Sequence, residues 1–126
     1  MARLGDIMTA SVFAAAPETP VAEVAKNMVK GRFGSVLVTR SEMLIGILTE
    51  RDVLRAAASG SDLTQSPVSA WMSKDPETVA PDLDSEDAAQ MMLTQGFRHL
   101  PVVDGNTILG IVSLRDVLAT RIRKAT

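Results

Sequence analysis

Gly46-Ile47-Leu48-Thr49-Glu50-Arg51-Asp52-Val53-Leu54 returns 64 residues later as Gly110-Ile111-Val112-Ser113-Leu114-Arg115-Asp116-Val117-Leu118. Each copy runs from a glycine through an apolar pair to a hydroxyl, then to an Arg-Asp pair followed by two more apolar residues. Packing alone has no use for a Thr/Ser and an Arg-Asp pair at matched places inside apolar surroundings. Worked outward, the same offset holds without a gap from Met8 over Met72 to Leu54 over Leu118. It sets Pro17 on Pro81, Ala25 on Ala89, Met28 on Met92, Phe33 on Phe97 and Val38 on Val102. Of the 47 aligned pairs 13 are identical, so the copies are related along their whole length and not only at the motif. A unit this long occurring only twice predicts two copies packed as one pseudo-symmetric body, not an open array.

The chain has 126 residues, enough for one compact domain or for two half-size units sharing a core. Two independent cores of about 60 residues each would be marginal. A hydrophobic fraction of 46% with 22% charged residues is that of a soluble globular protein. No apolar run approaches the roughly 20 residues of a membrane span, and Met-Ala-Arg-Leu-Gly-Asp lacks the apolar stretch of a signal peptide. The expected location is therefore cytoplasmic. Without cysteine there can be no disulfide, thiolate metal site or thiol nucleophile, and the single histidine, His99, excludes a multi-histidine metal site within one chain. A net charge of −2 gives no global attraction to nucleic acid or acidic membranes. Arg121, Arg123 and Lys124 read as a solvated helix end, where cations complement the dipole. The methionines fall mostly on core faces and read as packing. Trp71, in the place of Ile7, reads as a structural plug and not as a base-stacking platform.

Each copy opens on a Met-Thr or Met-Ser corner and a short extended stretch, Val12-Phe13-Ala14 or Thr78-Val79-Ala80. In the first copy Thr19 is the expected helix cap and Pro20 the first helical residue, with Val21, Val24, Ala25, Met28 and Val29 on one face. In the second, Asp84 is the cap, Glu86 and Asp87 occupy the first turn, and Ala88, Ala89, Met92 and Leu93 form the stripe. Two strands follow each helix: Ser35 to Thr39 and Met43 to Leu48, then His99 to Val103 and Thr107 to Val112. Asp104-Gly105-Asn106 is a clear hairpin signal, whereas Arg40-Ser41-Glu42 has no strong turn residue. A last helix starts at Thr49 and at Ser113. The fold class is α/β, or α+β, with two β-α-β-β-α repeats. The expected boundaries are 1–60 for the first repeat, 61–67 for a linker within the Ser59–Pro67 stretch, and 68–126 for the second.

Thr49 and Ser113 stand where a strand ends and a helix begins. Free backbone N–H groups, a hydroxyl and the positive helix end are expected to converge there, as a phosphate requires. Asp52 and Asp116, three residues on, could accept both hydroxyls of a ribose, and Arg51 and Arg115 offer charge-assisted bonds to phosphate. The same Thr49-x-x-Asp52 and Ser113-x-x-Asp116 spacing is also that of a capping box, in which the acid merely closes the helix end. No Cys-His or Ser-His-Asp set, glycine-rich dinucleotide fingerprint, phosphate loop or metal-ligand cluster is legible, so the chain does not read as an enzyme and no catalytic cofactor is expected.

The paired Gly-Ile-Leu-Thr-Glu-Arg-Asp and Gly-Ile-Val-Ser-Leu-Arg-Asp motifs, with Leu100-Pro101-Val102-Val103-Asp104, resemble a tandem pair of CBS (cystathionine β-synthase) domains, a Bateman module, over essentially the whole chain. The resemblance implies intertwined repeats with two related clefts that in many members bind AMP, ADP, ATP or S-adenosylmethionine as a regulatory ligand. One cleft would gather Asp116 with Thr9, Phe13, Phe33, Gly34, Arg98, His99, Ile111, Val112, Ser113 and Arg115. The other would gather Asp52 with Ile47, Leu48, Thr49, Arg51, Ser73, Val79, Phe97 and Arg98. Because Arg98-His99 aligns with Gly34-Ser35, the Asp116 cleft gains a cation and a titratable ring and is the expected tighter phosphate site. His99 can equally be a partly buried structural residue at a strand start. The resemblance further implies a homodimer and an effector protein acted on in trans. The alternative is a ligand-independent dimerisation scaffold.

Overall fold

The computed structural model describes residues 2–125; the side chains of residues 121 and 123–125 fall outside that description, so the reading of Arg121, Arg123 and Lys124 as a solvated helix end lies outside the described residues. The chain divides into two compact units. One is the continuous stretch Phe13–Pro76 and contains Asp52; the other joins Met1–Val12 to Glu77–Thr126 and contains Asp116. The units therefore cut across the sequence repeats, because the opening segment of each repeat is grouped with the body of the other. Among the described residues no helix is long and apolar enough to cross a membrane.

The Asp52 unit carries a four-stranded sheet in the order β1 (Ala14–Ala15), β2 (Ser35–Arg40), β3 (Met43–Thr49), β4 (Ser73–Lys74), with β1 parallel to β2 and the other pairs antiparallel. The helices α2 (Val21–Gly31) and α3 (Glu50–Ala58) supply the rest of its core. Val21, Val24, Met28 and Ala56 pack with Val36, Val38, Leu48 and Val68, the last from a single 3₁₀ turn, Val68–Ala70. Each such buried Val or Leu side chain stabilises the fold by about 1.5–3 kcal/mol relative to exposure.

The Asp116 unit repeats this plan with α1 (Leu4–Ile7), α4 (Ser85–Gln95), the hairpin β5 (His99–Asp104) and β6 (Thr107–Ser113), and α5 (Leu114–Ala125). Its core holds Leu4, Ala88, Ala89, Met92, Leu100, Val102, Val112 and Val117. Leu4 matches Val68 at the same offset of 64, and both are fully buried, so the repeat reaches further back than the identical residues indicate. The expected opening strand of the second repeat shrinks to one parallel bridge, Val79 to Val102. In the first repeat the Leu37 amide donates to the Phe13 carbonyl at 3.0 Å. Pro101 stands at the matching position and has no N–H to donate, which removes that rung.

Several local expectations need correction. Pro20, not Thr19, is the N-cap residue of α2, and no side chain caps it. Instead the Val21 and Ala22 amides donate to the carbonyls of Ser66 at 2.9 Å and Leu63 at 3.0 Å. Leu63 and Ser66, within the stretch between the two repeats, therefore also cap α2. Asp62 organises that stretch: its carboxylate accepts from the Thr64 hydroxyl at 2.6 Å and from the Thr64 amide at 3.0 Å, which holds its pKa below the ordinary carboxylate value. In the other unit Ala2 does the same work, its carbonyl accepting from Ser85 N at 2.8 Å. There Asp84 does cap α4, accepting from Glu86 N. Val29 and Leu93, expected on core faces, are 81% and 69% exposed. The hairpin at Ser41-Glu42 closes with both residues at positive φ, 50° and 67°, despite the missing turn signal, whereas Gly105 takes φ 60° in the second. The main strands each run one residue past the expected end.

The two hairpins share a register shift, after Val38 and after Val102, opposite Gly46 and Gly110. Over these glycines the Met corners cross. A Cβ on Gly110 would lie 2.6 Å from the Thr9 carbonyl oxygen and 2.9 Å from the Met8 sulfur. A Cβ on Gly46 would meet chiefly the Met72 sulfur, with the Ser73 carbonyl oxygen at 3.0 Å. A methionine tip can swing aside and a paired backbone carbonyl cannot. Gly110→Ala is therefore expected to destabilise the protein by about 3 kcal/mol and Gly46→Ala by about 1 kcal/mol. Urea denaturation of the two variants checks this, and equal losses would contradict the backbone-crossing account.

Candidate functional site: two strand-to-helix junctions

At the first junction β3 hands over to α3 through Thr49, whose backbone is extended at φ −110° and ψ 166°. The amide of Thr49 donates to Asp52 Oδ2 at 2.9 Å, its hydroxyl donates to the same oxygen at 3.1 Å, and Asp52 N reaches Thr49 Oγ1 at 3.4 Å. This is a closed capping box. The other carboxylate oxygen, Oδ1, accepts from Arg55 Nη1 at 2.9 Å, and the Arg55 guanidinium also lies 5.7 Å from the Trp71 ring centroid. Asp52 is only 7% exposed.

The second junction repeats two of these capping bonds with different neighbours. Ser113 N donates to Asp116 Oδ2 at 2.8 Å, and Asp116 N donates to Ser113 Oγ at 3.1 Å. The position matching Arg55 is Ala119, and the position matching Trp71 is Ile7. Among the described residues Asp116 has no ion-pair partner, and it is only half-buried. Among the described residues its Oδ1 has no hydrogen-bond donor.

The expected convergence of free amides is narrower than the sequence suggests. Glu50 N donates to the Gly34 carbonyl at 3.1 Å and Leu114 N to the Arg98 carbonyl at 2.9 Å. With the Asp52 and Asp116 amides also taken by the cap hydroxyls, only the Arg51 and Arg115 amides of each first turn remain for a ligand among the described residues. Arg51, Arg98 and Arg115 are exposed, and His99 is half-buried at the start of β5, opposite Ser113.

Each unit gathers its own subset of the expected residues. With Asp116 stand Thr9, Val79, Phe97, Arg98, His99, Ile111, Val112, Ser113 and Arg115, and Thr9 is bridged to Ile111 by amide-carbonyl bonds of 2.8 and 3.0 Å. With Asp52 stand Phe13, Phe33, Gly34, Ile47, Leu48, Thr49, Arg51 and Ser73. Phe13 and Phe33 are stacked with ring centroids 6.2 Å apart. Leu48, Val79 and Val112 belong to the apolar cores, so only their backbone can face a ligand. Trp71 packs against the Asp52 unit's core, in keeping with its reading as a plug. Arg55 escaped the sequence reading. The available signal was its place three residues after Asp52, one helical turn away, against Ala119 in the other copy.

The family model described as CBS domain matches residues 4–59 and 68–122. The chain belongs to the CBS domain family. It is 38% identical over 118 residues to the CBS domain-containing protein YhcV of Bacillus subtilis, covering 93% of this chain and 84% of that protein. Solved structures that share its fold include two with bound adenosine compounds. The CBS domain pair of protein MJ0100, in complex with 5′-methylthioadenosine and S-adenosyl-L-methionine, superposes with a TM-score of 0.90 at 22% identity, covering 98% of each chain. CBSX2 in complex with AMP superposes with a TM-score of 0.85 at 24% identity, over the full length of both. The protein is thus a tandem CBS pair of two β-α-β-β-α repeats.

The caps themselves are testable. Thr49→Ala and Ser113→Ala each remove a hydroxyl that satisfies a first-turn amide. Each is expected to cost about 1 kcal/mol in chemical denaturation. A change within error at both positions would show that the boxes contribute nothing to stability.

Proposed function

We propose that this CBS pair is a ligand-sensing regulatory module that takes an adenosine-containing nucleotide of the AMP, ADP, ATP or S-adenosylmethionine class and signals to a separate partner protein. The observation that carries this is the Asp116 junction. One carboxylate oxygen is fixed by Ser113 N at 2.8 Å while the other has no partner among the described residues. A carboxylate pre-oriented in this way suits two adjacent hydroxyls, and neutral diol donors gain strength from an ionised acceptor. The nearby Arg98 and Arg115 supply the cationic groups that a phosphate needs, with the His99 ring beside them at the start of β5. The adenosine compounds bound in the MJ0100 and CBSX2 structures support the ligand class. Nucleotide binding can alter signalling only through its difference in affinity between two states, and a tenfold difference supplies about 1.4 kcal/mol per site.

A second reading has one observation in its favour. Both acids already cap their helices, as a ligand-independent scaffold would require. Calorimetric titration with AMP, ADP, ATP and S-adenosylmethionine separates the two. On the sensing reading at least one of these binds, and Asp116→Ala weakens it by about ten- to a hundredfold while the protein stays folded. Absence of binding by the whole panel would leave the scaffold as the better account.

We also propose a homodimer. Val29 on α2 and Leu54 on α3 are 81% and 69% exposed, and their repeat-matched counterparts Leu93 and Leu118 are 69% and 49% exposed, with Ile122 at 66%. Apolar exposure at matched helix positions in both copies is what a self-complementary face requires. Val117, beside Leu118 on α5, instead serves the core at 1% exposure. Light scattering at low micromolar concentration is expected to return twice the chain mass, and Leu54→Glu with Leu118→Glu to return the monomer. A wild-type monomer would refute the assembly.

A further inference from the structure

Arg55 is a charged difference between the two junctions, and it reaches a ligand-candidate atom. Its guanidinium bonds Asp52 Oδ1 at 2.9 Å, while Thr49 N and Oγ1 hold Asp52 Oδ2 at 2.9 and 3.1 Å. Both oxygens of Asp52 are therefore committed inside the chain. The acid side chain is 10% exposed, whereas Arg55 is 59% exposed and lies over Trp71, so the arginine forms the outer side of the pair. A diol approaching Asp52 must displace a charge-assisted bond and pull the guanidinium off an aromatic face. A diol approaching Asp116 meets no such bond among the described residues, since Ala119, at the position matching Arg55, has no group to offer.

We infer that Arg55 is a specificity-determining residue that reserves the Asp52 carboxylate, so that nucleotide is taken at the Asp116 junction alone and the two halves of the pair divide into a structural copy and a sensing copy. This rests on the nucleotide-binding reading above and goes beyond it in saying what silences the Asp52 junction. Because the pair is partly exposed, screening limits its strength, and the handicap at Asp52 is put at about tenfold in affinity. That preference adds to whatever Arg98 and His99 contribute at the other junction.

The test is titration of AMP into the wild-type chain and into Arg55→Ala, Arg55→Met and Ala119→Arg, with circular dichroism confirming the fold of each. Arg55→Met keeps an apolar stem beside Trp71 and guards against a folding defect in Arg55→Ala. The wild type is expected to take a single equivalent, lost or weakened about tenfold in Ala119→Arg, which builds the same pair on Asp116. The Arg55 variants are expected to gain a second equivalent, or a weak wild-type second phase strengthened about tenfold. Two equal sites in the wild type, Arg55 variants that gain nothing, or weaker binding in those variants would each overturn the inference while leaving the nucleotide reading standing. No AMP binding by any of the four proteins would overturn the inference and count against AMP as the ligand, and the wider nucleotide panel then decides the functional reading separately.

Discussion

Each unit depends on a crossing at which two backbones come close enough that a methyl group has no room between them. At Gly110 the obstacle is the carbonyl of Thr9, itself fixed by a mutual pair of bonds to Ile111; at Gly46 it is mainly the side chain of Met72. This explains why Met8 and Met72 on the one hand and Gly46 and Gly110 on the other persist as identical pairs when most aligned positions have diverged. Large thioether and absent side chain are two halves of one steric solution. The register shift that follows Val38 and Val102 re-aims the end of each hairpin beside that crossing.

The element order was legible in the sequence because the two copies test each other. A stripe at helical spacing or an apolar run that occurs twice at one offset is hard to misread. Features belonging to one copy were harder. Thr19 is a good cap by residue type, but the amides of α2 are claimed by the carbonyls of Leu63 and Ser66, a long-range partnership that local composition cannot disclose. Val29 and Leu93 carry the right hydrophobicity on the edge of the stripe, and periodicity alone does not separate a core-facing edge from an exposed one. The shortened strand at Val79 is different, since Pro101 announces its missing donor in the sequence itself.

At the candidate site both sequence readings of the acids turn out to be compatible. Capping engages Oδ2 of each carboxylate, and a carboxylate has a second oxygen. The helix cap thus orients the acid without exhausting it, and what distinguishes the junctions is a neighbour one helical turn away. Spacing arguments confined to the motif missed that neighbour because it lies outside the repeated stretch. The residues expected to line a cleft divide similarly. Those at the strand-helix boundary keep polar groups available, while Leu48, Val79 and Val112 are consumed by the cores.

The grouping of Met1–Val12 with Glu77–Thr126 gives the chain a direction in time. During synthesis the Phe13–Pro76 stretch holds everything its own core needs once its last residue is free, so its contacts can close early over short loops. Residues 2–12, although made ahead of that stretch, must wait: Ala2 has no Ser85 to cap and Leu4 no Leu83 to bond until the far half has been translated. The Phe13–Pro76 unit can therefore close while residues 2–12 still await the partners that finish the second core.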